Sequence, residues 1–114
     1  AITLWSPKDS IGLKKAVAIS FDNEEHLLPA QKYDDHTLSY NYGGFFFYYD
    51  LLARTEAIAA LPKGAARKRS ATDQHKQLMS LPEFDGVFMD SHEIGRAYGT
   101  GMALWCLATL NDLD

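Results

Sequence analysis

Cysteine, basic residues and long apolar runs are all scarce in this sequence of 114 residues. Its one cysteine, Cys106, excludes an intrachain disulfide, and the apolar residues around it predict a buried, unreactive thiol. No apolar run approaches the roughly 20 residues of a membrane-spanning helix. With 11 Lys and Arg against 15 Asp and Glu, the chain lacks the basic stripe of a nucleic-acid-binding protein. We therefore expect no membrane span and no nucleic-acid partner.

The length predicts one domain over residues 1–114. The first residue is Ala1 and no signal peptide is recognisable, so we expect a processed chain or a piece of a longer one. Nothing in the composition assigns a compartment. The one basic cluster, KGAARKR at residues 63–69, is predicted to be a solvated loop and helix start. A surface for phosphate or an acidic partner is the alternative.

Capping and periodicity predict an amphipathic helix near the start of the chain. In SPKD, at residues 6–9, a Ser, a Pro and an Asp stand at the preferred positions of a helix N-terminus. Leu13, Val17 and Phe21 then recur every four residues, and Pro29 marks the break. This helix and its loop occupy residues 1–30, and turn-forming residues continue the loop to residue 44.

Three more helices are predicted in the rest of the chain. FFFYYDLLARTEAIAALP, at residues 45–62, indicates an apolar helix, and SATD, at residues 70–73, predicts the start of a polar helix that ends near Ser80. The last helix should run from about Glu93 to Leu110, with Asp90 or Ser91 as its cap. Its apolar residues surround the helix axis, so we expect neighbours to enclose it. The fold class is therefore all-α, with about four helices in antiparallel α-hairpins.

Small residues before and within the last helix indicate tight local packing. Asp85–Gly86 predicts a turn with positive φ, after which Phe88 folds back onto the hairpin. Glycines inside a helix are costly unless packing compensates, so Gly95, Gly99 and Gly101 are predicted to admit a neighbouring backbone.

The alternation of apolar and polar helices resembles the α-hairpin repeat of the terpenoid-cyclase and protein-prenyltransferase superfamily. The similar segments are YNYGGFFFYYDLLARTEAIAAL, QHKQLMSLPEFDGVF and GRAYGTGMALWCLATL, within residues 40–114. In that repeat an Asp-Gly turn with an aromatic residue precedes Tyr-x-Thr-x-x-Ala-Leu at the start of an inner helix. The matching residues here are Leu78, Asp85, Gly86, Phe88, Gly95, Tyr98, Thr100, Ala103 and Leu104.

The resemblance implies an α/α toroid, in which inner helices are enclosed and outer helices face water. A chain of this length holds only a few of the hairpins, so it is expected to be a fragment or to be completed by another subunit. The family's functional motifs do not carry over. The cyclase motif Asp-x-Asp-Asp is absent, no Cys stands two residues after Asp85, and Cys106 lacks the thioester motif. We therefore expect no cofactor and no catalysis by this chain alone.

Two clusters of acidic and imidazole side chains are the candidates for chemistry. They are Asp34, Asp35 and His36 in YDDH, and Asp90, His92 and Glu93 in DSHE. On one shared rim they would offer groups for general acid–base catalysis, and Asp35, His36, Asp90 and His92 would be candidate metal ligands. The competing interpretation is that the carboxylates cap helices and complement their dipoles.

Aromatic and methionine side chains form the candidate apolar site. Five consecutive rings at residues 45–49 cannot all face one side of a helix, so some must meet solvent, a ligand or another chain. Ordinary core packing is the alternative interpretation. The candidate ligand-binding residues are Tyr42, Phe46, Tyr49, Tyr98, Met102 and Trp105.

The sequence thus predicts a non-catalytic α-hairpin domain that binds an apolar ligand or a protein partner. The partner would be another subunit or the remainder of a larger chain, and the ligand a hydrophobic small molecule. A metal-assisted enzyme, with the Asp/His/Glu rim over an aromatic cavity, is the alternative. A purely structural domain is a further alternative.

Overall fold

A computed structural model describes residues 10–28, 31, 45–91 and 95–113. These residues form four α-helices and no strand, which confirms the all-α class. The helices are α1 (Ser10–Asp22), α2 (Phe45–Ala59), α3 (Ala65–Met79) and α4 (Gly95–Asn111), and a 3-10 turn at Glu24–His26 follows α1. No helix in these ranges is long and apolar enough to cross a membrane.

The first helix has the apolar stripe that the four-residue spacing predicts. Leu13 and Val17 are buried, and Phe21 packs against the same core. The SPKD cap lies outside the described residues. Because α1 contacts the rest of the fold mainly through α2, this stripe fixes its position.

The second helix is the centre of the core, and it packs against each of the other three. Its inner side buries Phe47, Tyr48, Leu51, Thr55 and Ile58. The rings of Phe47 and Tyr48 meet edge to face, with centroids 5.5 Å apart. The prediction of a helix rather than a strand here is confirmed, and the apolar run ends in a non-helical turn at Leu61.

The third helix begins five residues earlier than predicted, at Ala65 rather than Ser70. Gly64 is its N-cap residue and makes no side-chain capping bond, so the predicted capping box at residues 70–73 is wrong. Ala, Arg and Lys are strong helix formers, and they extend the helix upstream as far as Gly64. As predicted, α3 is mostly polar. It buries only Gln74 and Leu78, and the Gln74 amide donates to the Leu51 carbonyl (2.9 Å).

The turn before α4 has the predicted form. Gly86 has φ +81°, and the Asp85 carboxylate accepts a hydrogen bond from the Val87 N–H (3.3 Å). Phe88 then folds back and is 5 % exposed. The Thr100 hydroxyl of α4 both accepts from the Phe88 N–H (3.2 Å) and donates to its carbonyl (3.1 Å), which fixes this segment along the helix.

The three glycines of the last helix have different roles. A Cβ atom on Gly99 would lie 2.8 Å from the Phe88 carbonyl oxygen and 2.9 Å from the Asp90 nitrogen, so the predicted close backbone approach is confirmed there. Gly95 has φ +76°, and no described atom lies near its missing side chain. Gly101 is helical and also faces open space. For these two residues the described part of the chain provides no neighbouring backbone, and the predicted approach remains a prediction.

The last helix is enclosed on one side only by the described residues. That side carries Gly99, Ala103, Cys106 and Leu110, and the predicted burial of Cys106 is confirmed. On the opposite side Leu104 and Trp105 are each 57 % exposed. The prediction that neighbours surround α4 is therefore not met here, because α2, α3 and the segment at residues 81–91 all pack against the same half of it.

Candidate functional site

Most of the acidic and imidazole candidates lie outside the described residues. Those are Asp34, Asp35, His36, His92 and Glu93. Asp90 is the described member, and its side chain is completely buried. Among the described residues, no group of three or more His, Cys, Asp or Glu is placed to hold a metal ion. Asp90 is therefore part of the core, and the predicted rim that it would share with the other candidates remains a prediction.

Asp90 does not cap α4 either. Neither oxygen of its carboxylate has a hydrogen-bond partner among the residues that the structure describes. The Ser91 carbonyl instead accepts a hydrogen bond from the N–H of Gly95, the first residue of α4 (2.8 Å). The chain between Phe88 and Asp90 lies directly on Gly99, and this contact directs the Asp90 side chain into the core rather than toward the helix end.

The surroundings of Asp90 contain a second buried polar group without a partner. The Tyr48 hydroxyl is buried and makes no hydrogen bond to any described residue. Burial raises the pKa of Asp90 to about 6. Burial also raises the pKa of Tyr48, with smaller contributions from the negative charges of Asp90 and Glu83. The surroundings of Asp90 therefore stabilise its protonated, uncharged form relative to the carboxylate.

The aromatic candidates lie on the surface of the bundle rather than around an enclosed cavity. Phe46, Tyr49 and Trp105 are 39 %, 61 % and 57 % exposed, respectively. Tyr98 and Met102 are half-buried and pack against the core. Tyr42 lies outside the described residues.

The described aromatic candidates lie on one surface, where α2 and α4 pack side by side and run in the same direction. Tyr49 is close enough to Tyr98 to raise its pKa, after the larger effects of burial and Asp90. Further along the helices, Thr55 is close enough to Cys106 to lower the pKa of its thiol. Tyr98, Met102 and Trp105 recur at i, i+4 and i+7, on the flank of α4 nearest α2. We call the surface formed by Phe46, Tyr49, Tyr98, Met102 and Trp105 the α2–α4 face.

An open groove borders this face where α2 meets the end of the 3-10 turn. It has a volume of about 260 Å³ and is lined by Leu27, Phe46, Tyr49, Asp50 and Ala53. Burial raises the pKa of Asp50, and the charge of Arg54 opposes that increase. The groove is apolar except for this one carboxyl group, and its shape is that of a surface depression.

The exposed side of α4 is almost free of charge. Over its 17 residues the helix has a single charged side chain, Arg96, which pairs with the Asp85 carboxylate of the preceding turn at 2.7 Å. The exposed residues between Arg96 and Asn111 are small or apolar, and we call them the outer side of α4: Ala97, Gly101, Leu104, Trp105 and Ala108. The equally apolar α2 differs, because Asp50 and Glu56 interrupt its surface.

Sequence reasoning missed Arg54, whose side chain is 1 % exposed. Its guanidinium donates to the Ser20 carbonyl (3.2 Å) and to Gln77, and it contacts the Glu24 carboxylate at 3.5 Å. A basic residue inside an apolar helix was the available signal, since such a side chain is buried only when it is paired. Arg54 ties α1 to α2 and α3, which is a structural role.

Comparison with protein-family models, with curated proteins and with solved structures finds no match for this chain. The resemblance to the α/α-toroid superfamily therefore remains a prediction.

Proposed function

We propose that this chain is a non-catalytic assembly domain, which packs through the outer side of α4 against the same helix of a second copy. One observation carries the proposal: a 17-residue helix with a single charged residue leaves Leu104 and Trp105 more than half exposed. Contiguous apolar surface of this kind is typical of protein interaction sites. Exposed Trp is also the side chain most often found as the energetic anchor of an interface.

Gly101 supports a helical partner. A glycine inside a helix costs about 1 kcal/mol relative to Ala, and within the described residues neither a positive φ nor a close neighbour accounts for Gly101. A second helix that approaches closely at this point would account for it. Ala97, one turn before Gly101, and Ala108, two turns after it, continue this line of small side chains.

The order of these residues supports a two-fold arrangement. In two antiparallel copies of α4 with the symmetry axis level with residues 102–103, Leu104 of each copy faces Gly101 of the other. Ala97 then faces Ala108, so that the large Leu104 meets a glycine and the remaining pair is small enough for close contact. Trp105 stands at the edge of this contact as its anchor, and the exposed Tyr49 extends the contact over the α2–α4 face.

A protein partner fits the surface better than a small molecule does. Small-molecule sites enclose most of their ligand, whereas the groove at Phe46 and Tyr49 is a shallow depression. The remainder of a longer chain of the terpenoid-cyclase or prenyltransferase type is the other candidate occupant, because the resemblance implies neighbouring helices around α4. The metal-assisted alternative gains no support from Asp90, whose buried carboxyl group is remote from solvent.

Sedimentation equilibrium of the chain, with Trp105→Lys and Phe84→Lys variants, tests the proposal. Both substitutions place a charge at an exposed aromatic residue, but Phe84 lies in the turn before α4 and is 99 % exposed. We expect a dimer whose dissociation constant rises by at least about 30-fold in Trp105→Lys, since loss of an anchor costs about 2 kcal/mol or more. Phe84→Lys should leave it unchanged.

Two results would refute the second-copy arrangement. One is a chain that stays monomeric at every concentration studied, and the other is an equal effect of the two substitutions. Cysteine cross-linking provides the geometric check, because a Leu104→Cys chain should form a disulfide only with a Gly101→Cys chain. Preferential coupling of Leu104→Cys with itself would indicate a different register.

A further inference from the structure

The charges of this chain are strongly separated, and the sequence cluster KGAARKR belongs to the positive part. Five of the 11 Lys and Arg residues lie between Lys63 and Lys76, and this stretch has one acidic residue, Asp73. The chain as a whole has a net charge of −4, so the rest of it is markedly acidic. Because the stretch is largely helical, its positive charges are held on α3 and produce a local positive potential.

A groove between α3 and the end of α4 gathers part of this charge around an apolar floor. It has a volume of about 440 Å³, which is larger than that of the groove beside the α2–α4 face. Its described lining contains no carboxylate and consists of Gly64, Arg67, Lys68, Ala71, Thr72, His75, Leu110, Asn111 and Leu113. Basic side chains therefore form one wall, and the floor is formed by Ala71, Leu110 and Leu113.

The position of Arg67 is fixed by the fold. Its guanidinium donates a hydrogen bond of 3.1 Å to the Leu113 carbonyl, just beyond the end of α4. One basic group thus spans the groove from α3 to α4, and Lys68 stands exposed beside it. At the same end Gly64 leaves the first turn of α3 without a side-chain cap, so the positive end of that helix dipole opens onto the groove.

We propose that this groove binds an acidic amphipathic helix of a partner protein. Apolar side chains on one face of such a helix would contact Leu110, Leu113 and Ala71, and carboxylates beside them would approach Arg67 and Lys68. This is the usual mode in which a groove between helices accepts a peptide, with basic residues selecting an acidic one. The groove is concave, and its lining at the end of α4 includes no residue of the outer side, so the two proposed contacts use different residues.

The concave shape favours a peptide over a membrane surface. A helix that lies on a membrane presents its apolar residues outward, whereas Leu110 is buried at the base of the groove and is reached only by side chains that enter it. The isolated positive stretch in an acidic chain likewise favours an acidic segment over a nucleic acid, which a larger basic surface would bind.

Titration of the full chain with three synthetic peptides, each of about 15 residues, tests this proposal, because helices of this length begin to be stable in water. One peptide has a Leu face and a Glu face, the second has the same composition in scrambled order, and the third has Lys in place of Glu. We expect only the first to bind. Its amide chemical-shift changes should map to Lys68, Ala71, Thr72 and Leu113.

Lys68→Gln and Lys76→Gln form a matched pair, since both remove one exposed positive charge from α3 but only Lys68 lines the groove. Lys68→Gln should weaken binding about two- to fivefold, as expected for one partly exposed ion pair, and Lys76→Gln should change it little. Thr72→Trp fills the groove from an exposed position and should abolish binding. Circular dichroism of each variant verifies that the helices are intact.

Several outcomes would overturn the proposal. They are equal weakening by the two Lys substitutions, equal binding of the scrambled or the Lys peptide, and no binding of the Leu/Glu peptide by the folded chain. Vesicles containing phosphatidylglycerol are included as a competitor. If the chain binds the vesicles and the Leu/Glu peptide does not displace it, the basic helix belongs to a membrane contact and the peptide site is wrong.

Discussion

The guanidinium carbon of Arg54 lies 4.4 Å from the centre of the Phe21 ring, so a positively charged side chain from α2 is stacked on an aromatic residue of α1. The same guanidinium contacts the Ser20 carbonyl and the Glu24 carboxylate, while its Nε is buried without a partner. Burial lowers the pKa of Arg54, and the nearby carboxylates of Asp50 and Glu24 oppose that change. Attachment of α1 therefore depends strongly on one residue.

Substitution of Arg54 should destabilise the fold severely. Arg54→Ala removes the cation–π contact and several hydrogen bonds, and it leaves a cavity between α1, α2 and α3, so we expect a loss of about 3 kcal/mol in the free energy of unfolding. Urea denaturation measures it. Arg96→Ala is the control, because Arg96 pairs with Asp85 at the surface and its loss should have little effect. Equal effects of the two substitutions would contradict the role of Arg54.

Asp90 should make stability depend on pH in the opposite sense to an ordinary paired carboxylate. Its pKa is raised from 3.8 in the unfolded chain to about 6 in the fold. The folded state therefore binds the proton more tightly than the unfolded chain does. The free energy of unfolding is highest below about pH 4, and this contribution is lost as the pH rises through about 6. The difference corresponds to about 3 kcal/mol.

Asp90→Asn should therefore be more stable than the parent chain at neutral pH, and the pH dependence between about pH 4 and 6 should largely disappear. Urea denaturation in a series of buffers measures both effects. Asp73→Asn, at an exposed position of α3, is the control and should keep the parental slope. A parental slope in Asp90→Asn would show that another group titrates in this range.

Gly99 and Gly101 should respond in opposite directions to the same substitution. Gly99→Ala places a methyl group against the backbone at Phe88 and Asp90, which costs about 1–3 kcal/mol. Gly101→Ala enters open space and should stabilise the monomer by up to about 1 kcal/mol. Thermal unfolding at low concentration measures both changes. If Gly101→Ala also stabilises the dimer, a close helix contact at residue 101 is wrong.

Cys106 should react slowly with thiol reagents in the folded protein. It is completely buried, and burial raises the pKa of its thiol against the smaller effect of the neighbouring Thr55 side chain. Little thiolate is therefore present near neutral pH, and the sulfur is inaccessible. Reaction with Ellman's reagent should be slow in buffer and rapid in concentrated urea. Rapid reaction in buffer would indicate that α4 separates from α2 in the native state.

Local patterns predicted the parts of this fold that depend on neighbouring residues. The four-residue spacing of Leu13 and Val17 identified the inner side of α1, and the Asp85–Gly86 pair identified the turn that brings Phe88 back. The start of α3 was wrong because a capping pattern at Ser70 competes with strong helix formers upstream, which extend the helix.

The features that the sequence did not predict depend on contacts between segments that are distant in the chain. Asp90 has the residue type and position of a helix cap, but the contact between its backbone and Gly99 buries it. The positions of Tyr49 and Tyr98 on one surface follow from the parallel arrangement of α2 and α4, which α3 creates by returning the chain. Burial of Arg54 likewise needed partners from α1 and α3.

The turn at residues 83–87 is held by its own backbone. Glu83 donates to the Val87 carbonyl and Gly86 to the Glu83 carbonyl, both at 2.8 Å, while Phe84 at its tip is 99 % exposed. These two hydrogen bonds hold the segments before and after the turn together. Extra residues inserted at its tip therefore need not move those segments. An epitope or a fluorescent label grafted beside Phe84 would report on the protein from outside the bundle while leaving its helices in place.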